Sequence, residues 1–438
     1  MTARLRKLIA DLAEVFWLLP AAMVLGAVLL AEAMLALDRA GMPHWLLASG
    51  WAYTGGGTGA RTLLGVVASS TIGVAGTVFS ITIAALSLAA GQMGPRLLRN
   101  FTHDRGNQAT LGSFLGAFAY ALTVLAAIRS GDEGDFVPGA ALTVAIGLAF
   151  LSVAMLVYFV GHMAGRINVD TVIALVSDDL EAAMRRLSSD APQAAPPPVG
   201  FWAGAAVVVD PRSGYLQEID LAGLADWAAG HGTAIRLLVG AGDYVFPDTP
   251  IALAQPEVDG VGRAIIEATA LGRQRLSSAD LEIALRQLVE VAVRALSPGV
   301  NDPHTAISVL DRLGAALCDM ARLHLASAVE TRDGKAVLVV PCTEYDGLVD
   351  AMFHMIRQNA KSSPAVLIRM LEVLTFVLAG EATPERVRTL QRHADLVLSD
   401  AERHVTTPAD LADVAGRHAR FAAVRERGAA GMLHGQRW

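Results

Sequence analysis

Cysteine is nearly absent from this sequence, with only Cys318 and Cys342 present. That excludes a disulfide framework and a paired-cysteine metal site of the usual spacing, and it fits a reducing compartment. Charge is scarce too: 18% of the 438 residues are Asp, Glu, Lys or Arg, and the net charge is −7. No global basic surface can follow from such a balance, so nucleic acid is excluded as an expected partner. Catalytic signatures are missing as well. There is no HExxH or comparable ligand pair, no nucleophile–base pair and no complete phosphate loop; the glycine run Gly55 to Gly59 lacks the lysine and reads as a linker.

What is present is apolar sequence: 53% of the residues are hydrophobic and the mean hydropathy is +0.44. The excess lies before about residue 165, where four runs are long enough to cross about 30 Å of hydrocarbon as helices. They cover residues 15–37, 62–95, 109–128 and 136–160. Arg4, Arg6 and Lys7 precede the first, but its length and the spans that follow favour a retained anchor over a cleaved signal. Arginines also fill the second connection and Arg166 follows the fourth span. The third connection instead carries Asp132, Glu133 and Asp135 beside a single Arg129. The positive-inside rule then places both termini in the cytoplasm, with Trp45, Trp51 and Tyr53 at the outer interface.

Within the second span, Gly73, Thr77, Ser80, Ala84, Ser87 and Gly91 recur at alternating spacings of four and three, which lines one face with small, weakly polar groups. Such seams usually let neighbouring helices approach closely, so packing within the four-helix unit is the first expectation; a conduction path built from several copies is the second. Gly94 and Pro95 end the span and suit a hinge, since proline lacks a backbone donor. Arg96, Arg99, His103 and Arg105 follow as a basic collar interrupted by Asp104, which reads first as an orientation and headgroup-contact signal. Gly112 and Gly116 mark a packing face on span three. Glu32, near the outer end of span one, is expected to reach water rather than relay protons.

The remainder reads as a mixed α/β, α-rich domain. Residues 166–190 form an amphipathic connector helix with Ile173, Val176, Leu180 and Leu187 on one side, and residues 191–200 an Ala/Pro linker. A small β-rich unit over 201–256 should contain a hairpin, 205–209 paired with 215–219 across the turn 210–214, and further strands at 235–239 and 244–253 around the turn 240–243. Residues 257–438 read as mainly helical. Ser277 and Asp280 suit a cap for a helix ending near Leu296, and a strand is expected over 336–340. At the corner Ser297 to Ala306, Asp302 is placed to cap a helix whose first residue is Pro303. That role is preferred for Asp302 over a metal or acid–base site with His304.

Four stretches together carry a resemblance: Phe79-Ser-Ile-Thr through Gln92-Met-Gly-Pro-Arg96, Leu111-Gly-Ser-Phe-Leu-Gly-Ala-Phe-Ala-Tyr120, Gly214-Tyr-Leu-Gln-Glu-Ile-Asp220 and Ala295-Leu-Ser-Pro-Gly-Val-Asn-Asp-Pro303. They resemble the bacterial membrane protein family known as domain of unknown function 2254. The resemblance implies a multi-pass topology in the bacterial inner membrane and brings no catalytic residue, metal or cofactor. The functional expectation is a homo-oligomer in the bilayer with a channel or transport role, its cytoplasmic domain regulating it. The alternative is a membrane-anchored sensor or scaffold whose soluble domain binds a protein or small ligand, and an enzyme is the weakest reading.

Overall fold

The computed structural model describes residues 16–41, 53, 55–93, 104–129, 136–166, 168–186, 188–189, 196–273, 281–321, 324–325, 329–341 and 344–433. Several sequence expectations fall outside them: Arg4, Arg6 and Lys7, Trp45 and Trp51, the hinge Gly94 and Pro95, the collar residues Arg96, Arg99 and His103, the acidic trio 132–135, most of the 191–200 linker, and the cap at Ser277 and Asp280. The chain divides into two compact units, Asp11–Asn168 and one containing Val169–Trp438.

In the first unit four helices are long and apolar enough to cross a membrane: α1 (Leu18–Ala40), α2 (Gly57–Met93), α3 (Arg105–Ala127) and α4 (Gly139–Arg166). The third is the hub, packing against the other three. Gly112 and Gly116 explain how α1 comes so close. A Cβ at Gly112 would stand 3.1 Å from the Pro20 Cα, and one at Gly116 would stand 3.4 Å from the Ala27 Cβ. Tyr120, fully buried, donates its hydroxyl to the Ala141 carbonyl at 3.0 Å and so ties α3 to α4.

At the far end of α1, Asp38 closes the bundle. Its two carboxylate oxygens accept from the Ala140 and Ala141 amides, each at 2.9 Å. A negative charge on the first free amides of a helix is favourable, because those groups lack partners within the helix. Large side chains on α1 and α4 point outward, with Leu25 and Leu29 61% exposed, Phe150 73% and Val157 71%. That is how a bilayer-facing surface is built.

The second unit begins with α5 (Val169–Arg186), whose apolar side, including Ile173, Val176 and Leu180, is buried against α8 (Leu281–Ala295) and α9 (Pro303–Met320). After the two-residue strand β1 (Ser188–Ser189) come β2 (Ala206–Asp210), β3 (Gly214–Ile219), α6 (Leu221–Gly230), β4 (Ala234–Leu237), β5 (Tyr244–Val245), β6 (Thr249–Gln255), α7 (Val261–Ala268) and β7 (Thr269–Gly272). The strand β8 (His324–Leu325) pairs with β1, while β9 (Val329–Arg332) and β10 (Lys335–Val339) rejoin the larger sheet.

The expected hairpin does not form. Strand β2 pairs with β6 in a five-stranded sheet of order β2-β6-β4-β10-β9, whereas β3 lies between β5 and β7 in a separate three-stranded sheet. The connection is a corner held by side chains. Asp210 binds the Arg212 guanidinium at 2.7 Å, and Arg212 reaches on to the Ile266 and Thr269 carbonyls at 3.2 Å. Gly214 has φ +143°, with the Gly272 carbonyl 2.9 Å from where a Cβ would sit, so glycine is required as the chain enters β3. The segment 244–253 is likewise split, β5 going to one sheet and β6 to the other. Strand β10 pairs in parallel with β4, so the β-rich part reaches well beyond residue 256. Leu216, Leu237, Ile251 and Ile265 fill the space between the sheets and helices.

The rest is helical: α8 and α9, then α10 (Tyr345–Ala360), α11 (Pro364–Gly380), α12 (Pro384–His404) and α13 (Pro408–Arg427). Proline opens α9, α11, α12 and α13, after Asp302, Ser363, Thr383 and Thr407. Proline suits that position because its missing N–H would have had no partner there. Of those four preceding residues only Asp302 makes a side-chain cap, accepting from the His304 and Thr305 amides at 3.1 and 3.2 Å and from the Thr305 hydroxyl at 2.6 Å. Replacing Asp302 with alanine should cost about 1–2 kcal/mol of stability, read by urea unfolding. The Thr305 hydrogen bond, outweighing partial burial, holds the Asp302 carboxyl below its usual range. A lowered folded-state pKa means the contribution is complete above the unfolded value of about 4 and disappears as pH falls through the folded one. The variant and the native chain should therefore converge in stability in acid.

Candidate functional site

On α2 the six small residues are all exposed, whereas Leu64, Thr71, Ala75, Val78 and Thr82 are buried. At about 100° per residue the two sets lie on opposite sides of the helix. The seam therefore does not pack within the four-helix unit, and the first expectation for it is corrected: α2 turns its other face to α3. The inward residues Leu64, Val67 and Ala68 share a buried cluster with Tyr120, Ala121 and Val124 of α3, and Ala75, Val78 and Ala85 share another with Leu111 and Phe114. Thr77 and Ser80 donate to their own helix, at the Gly73 and Gly76 carbonyls, at 3.1 and 2.8 Å. Their oxygens keep free acceptor capacity on the outward face. Nothing lies within 4 Å of a Cβ built at Gly73 or Gly76.

Glu32 is exposed on α1. Arg105, the one described arginine of the collar, is exposed as the first residue of α3. Its neighbour Asp104, which reads in the sequence as a break in a basic run, instead turns inward and is 6% exposed. One carboxylate oxygen accepts the Gly106 amide at 2.8 Å and the other meets His162 Nε2 at 2.7 Å. Tyr158 stacks on that imidazole with ring centroids 5.2 Å apart. In the first turn of α3, Asn107 is 3% exposed and neither its amide nitrogen nor its oxygen has a partner.

A third constellation lies in the second unit, at residues not singled out from the sequence. Asp350 and His354 are one turn apart on α10, and His393 comes from α12. Asp350 Oδ1 meets His393 Nε2 at 2.7 Å, His354 Nε2 at 3.1 Å and Arg392 at 2.6 Å. Burial drives the His393 pKa down to about 4, so the ring is neutral at pH 7. Burial alone would raise Asp350, but the hydrogen bonds from Arg392 and His393 prevail and hold it below its usual range. The Asp350–His354 spacing was the available signal, although its partner His393 lies 43 residues beyond Asp350.

Beside it an open groove of about 640 Å³ runs along α12, lined by Arg388, Arg392, Asp395, Ser399 and Arg425 among others.

Comparison with known proteins fits the bundle. The family model described as "Predicted membrane protein (DUF2254)" matches residues 13–375, from α1 into α11. The chain belongs to this family. An uncharacterised protein of Mycobacterium tuberculosis (strain H37Rv) and one of Mycobacterium bovis are each 32% identical over 381 residues, covering 84% of this chain and 73% of theirs. No solved structure matches. The family match takes in both α2 and α3, whereas α12, which carries His393, lies beyond it.

Proposed function

We propose that this membrane protein is a homo-oligomer of the bacterial inner membrane with a channel or transport role, both termini in the cytoplasm, in which α2 faces the central axis. One observation carries the reading: the small, hydroxyl-bearing face of α2 points away from the unit's own helices. A helix facing lipid alone has no use for Gly, Ser and Thr there, as the outward Leu, Val and Phe of α1 and α4 illustrate. Facing copies of itself, the same surface permits close approach and offers hydroxyl oxygens to a passing ion or water. The soluble unit is the regulatory part.

Ser80→Leu tests this directly. In liposomes, with wild type and variant matched for oligomeric state, the variant should change ion flux at least about tenfold. Absence of wild-type flux under voltage, pH and tension challenge would overturn the reading.

A second reading has its own support. The arginine-lined groove on α12 suits a small anionic ligand, as a membrane-anchored sensor or scaffold would need, and the full-length protein would then bind such a ligand without conducting.

A further inference from the structure

We propose that Asp350, His354 and His393 form a binding site for a divalent first-row transition cation of the zinc class. One donor atom from each of the three lies within 4.8 Å of the others. Ligands about 2.0–2.2 Å from a tetrahedral zinc stand about 3.3 Å apart, so small side-chain rotations suffice. Two imidazoles and a carboxylate are the donor set such ions favour, and three protein ligands leave a fourth position for water or substrate. The site has an opening, since the His354 side chain is 31% exposed and that of Asp350 33%. His393 is wholly buried.

Two further observations point to a ligand. Each ring directs Nε2 at the same carboxylate oxygen, and the Nδ1 of both rings is buried without a hydrogen-bond partner. Two Nε2 atoms converging on one carboxylate oxygen form the arrangement a cation seated among them would use, each imidazole turning its Nε2 lone pair to the ion and keeping its proton on Nδ1. The charge that Arg392 brings to Asp350 is also replaceable. Arg392 is 41% exposed and holds Asp346 at 2.7 Å as well, so it can stay on Asp346 while a cation takes its place. The site joins α10 to α12, and occupancy should stiffen that contact. It stands independently of the conduction reading.

The test uses the full-length protein in detergent, stripped with a chelator and then given Zn2+ or Co2+ alone. One Zn2+ per chain should be retained after desalting, and the melting temperature should rise by several degrees. Co2+ should give the visible absorption of a low-coordinate site. His354→Gln and Asp350→Asn, both at partly exposed positions, should lower affinity at least tenfold, with circular dichroism confirming the fold. His231→Ala should leave uptake unchanged. No retained metal, or uptake equal in the Asp350 and His354 variants, would overturn the proposal.

Discussion

Replacing Asp400 with alanine should lower the unfolding free energy by about 3–5 kcal/mol, among the largest effects available in the second unit. Asp400 on α12 is 6% exposed and binds Arg357 of α10, itself 8% exposed. Burial, and then the nearby charge of Arg403, already weakens the hold of Arg357 on its proton. Without the carboxylate, a guanidinium would stay inside with like charge beside it. Removing both partners is a different matter. Arg357→Met with Asp400→Leu should recover most of the loss, because Arg403 is 61% exposed and can turn to water. Denaturant unfolding of the full chain, followed by circular dichroism, reads both variants. A single-variant loss under about 1 kcal/mol would mean that water reaches the pair.

The second large effect belongs to the membrane unit. Gly112→Leu should destabilise the bundle by about 3 kcal/mol, since the new side chain meets the backbone of Pro20, which cannot rotate aside as the neighbouring Met23 can. Gly116→Ala meets the Ala27 methyl at 3.4 Å and the Met23 carbonyl oxygen at 3.5 Å, ordinary contact distances, and should cost less than about 1 kcal/mol. Unfolding in mixed detergent micelles separates the two. Equal effects would show that α1 shifts as a rigid body to make room.

These cases mark what the sequence could tell. The four membrane helices were legible because a run of about 20 apolar residues has few other uses, and Gly112 and Gly116 were legible as a packing face because only small residues permit close approach. The small seam of α2 was legible as a face, yet its direction was not: periodicity says which residues share a side, and the partners of the opposite side decide where that side points. The hairpin at 205–219 was misread because turn residues between two apolar runs look alike whether the strands pair or part. Arg212 decided the matter through contacts to Ile266 and Thr269, more than 50 positions away. Asp38 gives no signal in the sequence, and Asp104 shows there only as a break in a basic run, because their partners lie on other helices, 102 and 58 positions distant. The Asp350, His354 and His393 cluster shares that cause.

The parallel pairing of β10 with β4 has a consequence for how the chain comes together. Leu338 sits against Ile235, and α8 and α9 are threaded between them. A ribosome delivers β2, β4 and β6 long before their fourth neighbour, so a hydrophobic strand edge waits unpaired while helices are still being made. High contact order of this kind slows folding. The anchored α1 to α4, finished first, would hold each nascent second unit at its own place on the membrane and keep such open edges from meeting one another.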